Sequence, residues 1–128
     1  MKNTVLIFAS IYGASAVILG AFGAHALKKI LSVERLASFE TGVKYQMYHA
    51  LLLLVMALLF KFDHKIEVYS AYSIIWGVIL FSGSIYGLSL KDYWPINLRF
   101  LGPITPLGGL LLVLGWGLMA WHFIKLKA

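Results

Sequence analysis

The sequence predicts an all-α polytopic membrane protein: a four-helix transmembrane bundle with a short interfacial amphipathic helix in its first loop. Three observations carry this. Of 128 residues, 61% are hydrophobic and only 12% are charged, about half the charge of an average soluble domain. The charges are placed so that four long uncharged runs remain. None of those runs alternates polar with apolar residues, as a transmembrane β-barrel requires. Plentiful aromatics and the lack of cysteine exclude a disordered chain and a disulfide scaffold.

The runs are Asn3–Leu27 (25 residues), Tyr45–Phe60 (16), Val68–Leu90 (23) and Phe100–Ile124 (25). A hydrocarbon core of ~30 Å takes about 20 helical residues, so three runs span unaided. The second is short, but Lys44 and Lys61 can snorkel outward. In lipid the backbone must satisfy its own hydrogen bonds, which makes every run a helix. The expected spans are residues 4–27, 44–61, 68–90 and 100–124 of a single transmembrane domain. The N-terminal run imitates a secretory signal, with Lys2 ahead of it and Ala24-His25-Ala26 as a small-x-small site. Its apolar part exceeds the usual signal core, which favours an uncleaved anchor helix.

Between the first two spans, Ser32 can cap a helix starting at Val33, and Val33, Leu36, Phe39 and Val43 recur at helical spacing. Glu34, Arg35, Glu40 and Lys44 take the other positions, as an interfacial helix over residues 33–42 requires. That helix is expected to turn into the second span near Gly42, with one continuous bent helix as the alternative. Short links elsewhere favour antiparallel neighbours. In the fourth span, Pro103 and Pro106 flank Thr105. The second proline is expected to kink the helix or start it as a short re-entrant piece, and freed carbonyls there are a candidate cavity lining.

A net charge of +6 would suggest nucleic acid in a soluble protein. Here Lys and Arg flank the spans singly, as headgroup-facing residues do, and no basic groove forms. Nucleic acid is therefore not an expected partner, whereas the lipid bilayer is. Five basic residues fall on the side of the N-terminus and six on the other, so the positive-inside count favours neither orientation. Tyr69, Tyr72, Tyr93, Trp94, Trp121 and His122 are placed at headgroup depth, and Trp76 and Trp116 within the bundle.

Small residues mark helix contacts in lipid. Gly13 and Gly20 lie on one face of the first span, Gly77, Gly83 and Gly87 on the third, and Gly109 on the fourth. These faces serve contacts within the bundle or between chains, so a homo-oligomer or a complex with another membrane protein is expected.

No Asp, Glu, Lys or Arg lies inside an uncharged run, which counts against a proton-coupled exporter. Two histidines stand out. His25 lies three residues before Lys28 and His49 five after Lys44, placing both near one membrane face. With Glu40, Tyr45, Gln46 and Tyr48 they form a candidate polar cluster for a ligand or a proton. The competing role is structural: histidines that hydrogen-bond across helices. Two histidines with no cysteine and no HExxH specify no metal, and no nucleophile–base set or paired carboxylates support catalysis. No catalytic residue, metal or cofactor is expected. The balance falls on a non-enzymatic assembly or accessory component. A small-solute, ion or lipid pathway is the first alternative, and a cofactor-binding redox protein the second.

Several segments, taken together and in order, resemble a known family. They are Gly20–Lys28 (GAFGAHALK), Phe39–Leu54 (FETGVKYQMYHALLLL), Phe81–Leu88 (FSGSIYGL), Gly102–Gly109 (GPITPLGG) and Gly115-Trp116. The chain is similar to the YgdD/YwdK-type small membrane proteins, a family of uncharacterised four-span proteins. The resemblance covers nearly the whole chain. It implies a plasma-membrane or bacterial inner-membrane location and four spans, and it carries over no activity, substrate or catalytic residue.

Overall fold

The computed structural model describes residues 1–127. Its four long helices are α1 (Lys2–His25), α2 (Val33–Leu59), α3 (Lys65–Ser89) and α4 (Ile104–Lys127). Each is long and apolar enough to cross a membrane. Short 3₁₀ turns at Leu27–Lys29, Lys91–Tyr93 and Arg99–Leu101 complete the connections. Among the described residues there is no strand.

The helices alternate in direction, with α1 packed on α2, α2 on α3, and α3 on α4. Both connections α1–α2 and α3–α4 lie at one end, here called the loop end. The other end holds the start of α1, the α2–α3 turn and the end of α4. In their most apolar stretches α2 and α3 are 44% buried, against 22% for α1 and α4. The middle pair is thus the centre of the molecule, and the outer pair shows most of its surface to lipid. Val5, Ala9, Leu53, Met56, Ile74, Ile75, Val78 and Leu112 form the core, while Ile7, Ile11, Ile18, Leu58, Leu110 and Val113 face outward.

The first loop holds no separate interfacial helix. Ser32 caps as expected, its Oγ accepting from Arg35 N at 3.3 Å, but the helix it starts continues unbroken to Leu59. The apolar pattern is real, yet its face meets protein rather than membrane surface. Phe39 is buried beneath Gly23 of α1 and against the Tyr86 ring of α3 at 5.0 Å. Gly42 is a contact and not a hinge. It lies under Tyr86 and Ile85, and its carbonyl accepts from Ser82 Oγ at 2.8 Å.

The helix runs unbroken through Pro106. The chain enters α4 through the Arg99–Leu101 turn, and Pro106 is the third helical residue. There its missing N–H is one the helix leaves unpaired anyway.

The glycines mostly do what small residues do in lipid. Gly77 brings α3 onto the Leu112 backbone, Gly87 admits Leu101, and Gly13, Gly20 and Gly109 receive Ala50, Val43 and Phe81. Gly108 holds the closest approach, and Gly115 is also tightly covered. A Cβ at Gly108 would run into the Phe81 backbone, and one at Gly115 into Ile74 and the Ser70 carbonyl. Gly83 has open space around it. In the α2–α3 turn the chain reverses at Phe62, whose φ of 62° is left-handed, at a cost of about 1–2 kcal/mol.

Candidate functional site

The expected polar cluster is split by the fold. Gly13 lies level with Ala50, and Gly23 with Phe39, which fixes the register of α1 against α2. His49 is therefore near the level of Gly13, whereas His25 is 12 residues further along α1, about 18 Å away along the axis. His25, Glu40, Tyr45 and Tyr48 are exposed, while Gln46 and His49 are each only 5% exposed. Lys44 does not mark the edge of a helix. It lies on the outer face of α2, already three turns in.

What gathers at mid-bundle is a different set. Gln46 Nε2 donates to the Tyr12 carbonyl at 2.9 Å and to Ser15 Oγ at 2.6 Å. Its Oε1 accepts from Tyr86 OH at 2.6 Å. Tyr12, itself buried, donates its OH to the Ile75 carbonyl at 2.7 Å. One turn along α2, His49 Nε2 accepts from Trp116 Nε1 at 3.1 Å, and its Nδ1 lies 2.7 Å from the Tyr45 carbonyl. An indole N–H only donates and a carbonyl only accepts. His49 is thus neutral, with its proton on Nδ1 and both ring nitrogens occupied. No lone pair is left for a metal. Together with Ser70 Oγ on the Gly115 carbonyl at 2.8 Å, these bonds tie all four helices together.

The end opposite the loops carries a pair outside the expected cluster. Glu67 Oε1 and His122 Nε2 are 3.0 Å apart, and both residues are 5% exposed. Glu67 sits in the first turn of α3, where a carboxylate is favoured, and its Oε2 takes the His64 N–H at 3.4 Å. The rings of Phe60, His64 and Phe123 lie 5.2, 5.7 and 5.6 Å from that of His122. No three His, Cys, Asp or Glu groups among the described residues are placed to share a metal.

At the loop end, Thr105 and Pro106 line an open cavity of about 390 Å³ between α2, α3 and the start of α4. Pro103 is exposed and is not part of that lining. Arg35, Ser38, Ile85, Leu88 and Ser89 complete most of the wall. Arg35 pairs with Asp92 through Nη1. Thr105 Oγ1 lies 2.6 Å from Ser84 Oγ. Ser89 Oγ is buried and is the one such side-chain atom among the described residues with no hydrogen-bond partner.

Signals for some missed residues were present. Tyr12 and Ser15 are among the few polar residues of the first span, and Trp116 is expected within the bundle. Trp116 is 48% exposed, with its N–H donated to His49. Trp76 faces outward at 55%. Glu67 and His122 carried no distinguishing signal, because both lie where charges and aromatics normally meet headgroups.

Residues 19–109 match the family described as "Protein of unknown function (DUF423)". The UPF0382 membrane protein of Haemophilus influenzae is 38% identical over 128 residues, covering 100% of this chain and 99% of its own. The UPF0382 inner membrane protein YgdD of Escherichia coli is 38% identical over 126 residues, covering 96% of this chain and 91% of its own. A UPF0382 membrane protein of Staphylococcus epidermidis is 38% identical over 111 residues, 87% of each chain. No solved structure matches the chain. With this similarity and four membrane-length helices, the chain belongs to the UPF0382 (DUF423) family of multi-pass membrane proteins, at home in a plasma or bacterial inner membrane.

Proposed function

We propose that the protein is a non-enzymatic assembly or accessory component. It acts as one transmembrane unit through lateral contacts with a second copy or another membrane protein. The observation that carries this reading is the saturation of the mid-bundle polar groups. Gln46, His49, Tyr12, Ser70 and Ser82 all have partners within the chain. Such a polar interior holds helices in place. Chemistry or passage along the bundle axis would first have to break it.

The outer surface supports the same reading. The bundle's own packing uses Gly77, Gly87, Gly108 and Gly115, while Gly83 and Gly117 have nothing within 4 Å of an added Cβ. Gly83 continues the outward stripe of Trp76 and Ile79 at helical spacing, which makes a notch of the kind helices use to approach each other in lipid. The test is energy transfer between donor- and acceptor-labelled chains in liposomes, combined with crosslinking in native membranes. Transfer above random proximity on lipid dilution, lowered by Gly83→Leu or Gly117→Leu, is the expected result. A chain that is monomeric at every dilution and forms no defined crosslinked species would refute the reading.

A further inference from the structure

We propose that the cavity at the loop end binds an anionic phospholipid, with its phosphate at Arg35 and a length of acyl chain against Ile85, Leu88 and Pro106. This inference is independent of the accessory reading and rests on a different part of the molecule.

Three features at the polar side of the cavity favour an anion. Arg35 lines the wall, and only its Nη1 is engaged by Asp92. A guanidinium carries five N–H donors in a fork suited to phosphate, so donors remain on its other nitrogens. Gly102 and Thr105 bring the start of the 24-residue helix α4 to the same wall, and the positive end of its dipole favours negative charge. Pro106 supplies no N–H there, so the contribution is the field of the helix rather than a ring of amides.

The third feature is Ser89. It is 3% exposed, lines the cavity, and holds a hydroxyl with no partner in the chain. A buried hydroxyl without a bond costs roughly 1–3 kcal/mol, which a bound acceptor oxygen would recover. Asp92, Glu34 and Glu40 are the opposing charges at this end. Lys28, Lys29, Lys91 and Arg99, with Arg35 itself, outnumber them.

Apart from Ser38, the rest of the wall is hydrocarbon. Ile85, Leu88 and Pro106 offer nothing to a free ion but suit an acyl chain. The volume, about 390 Å³, falls in the range of small-molecule sites. The position matches as well. The cavity lies where α2 and α4 begin and α3 ends, the level at which headgroups meet the helices. A ligand that is anionic at one end and apolar along its length, presented at that depth, is a phospholipid.

The experiment is native mass spectrometry of the delipidated full chain in detergent. The probes are phosphatidylglycerol, phosphatidylcholine with the same acyl chains, and inorganic phosphate. Phosphatidylglycerol is expected to be retained about tenfold more than phosphatidylcholine, because both present the same phosphate to Arg35 but the choline ammonium cancels its charge and is repelled by the cations at this end. Arg35→Gln should abolish the preference. Ser38→Phe, at an exposed helical position on the cavity wall, should do so by filling the site without touching the Arg35–Asp92 pair. Arg99→Gln, at the same end but outside this lining, should keep it. Equal retention of the two lipids would overturn the proposal. So would Arg99→Gln weakening binding as much as Arg35→Gln, which would make the effect one of general charge. Displacement of phosphatidylglycerol by equimolar inorganic phosphate would assign the site to a soluble anion instead.

Discussion

Gln46 and His49 at mid-bundle, and Glu67 with His122 at the end away from the loops, are equally buried and solve burial differently. Gln46 and His49 are neutral groups whose donors and acceptors go to residues on all the other helices. Glu67 and His122 are ionisable, and each has the other as its main partner. The first arrangement spreads the cost of losing any one bond over several neighbours. The second concentrates it, because removing one member leaves the other buried alone. Depth accounts for the difference. At the centre of a bilayer only neutral, saturated groups are cheap, whereas near the end of a helix a carboxylate gains from the helix N-terminus and from nearby water.

The largest expected effect is at the pair. His122→Phe should cost about 3 kcal/mol by leaving the Glu67 carboxylate unmatched, and Glu67→Leu in the same chain should restore most of it. Chemical unfolding in mild detergent checks both. A double variant as unstable as the single one would erase this contrast between the two regions. At mid-bundle, Gln46→Leu strips a partner from Tyr86 and from Ser15 at once, and a loss of about 2 kcal/mol is expected by the same measurement. Trp116→Phe removes only the indole N–H from His49. Its effect should be about 1 kcal/mol, read as a small shift of the thermal midpoint.

Much of the fold was legible because lipid imposes one rule on the backbone, so uncharged length alone identifies four helices. The rule fails where a charge is taken as a boundary. Lys44 can stand on the outer face of α2 because its long side chain reaches polar surroundings from within a helix, so taking it as a boundary separates the helix starting at Val33 from the span it continues into. That shift moved His49 from a membrane face to the middle of the bundle and away from His25. Gly42 and Pro106 were ambiguous for a local reason. A glycine signals a bend or a close contact, and a proline a kink or a first turn, and only the partner helix decides between them. The site was less legible than the fold. Gln46 and His49 stood out as polar residues in apolar sequence, but Tyr86 and Trp116 are ordinary aromatics until α3 and α4 bring their OH and N–H to those two side chains.

The central claim is that the mid-bundle network is closed and structural. Ion and solute flux through proteoliposomes of known copy number tests it most directly. Vesicles carrying the protein should pass protons, small cations and small anions no faster than protein-free vesicles, and His49→Ala should change nothing. Flux well above the protein-free rate that His49→Ala abolishes would contradict the account.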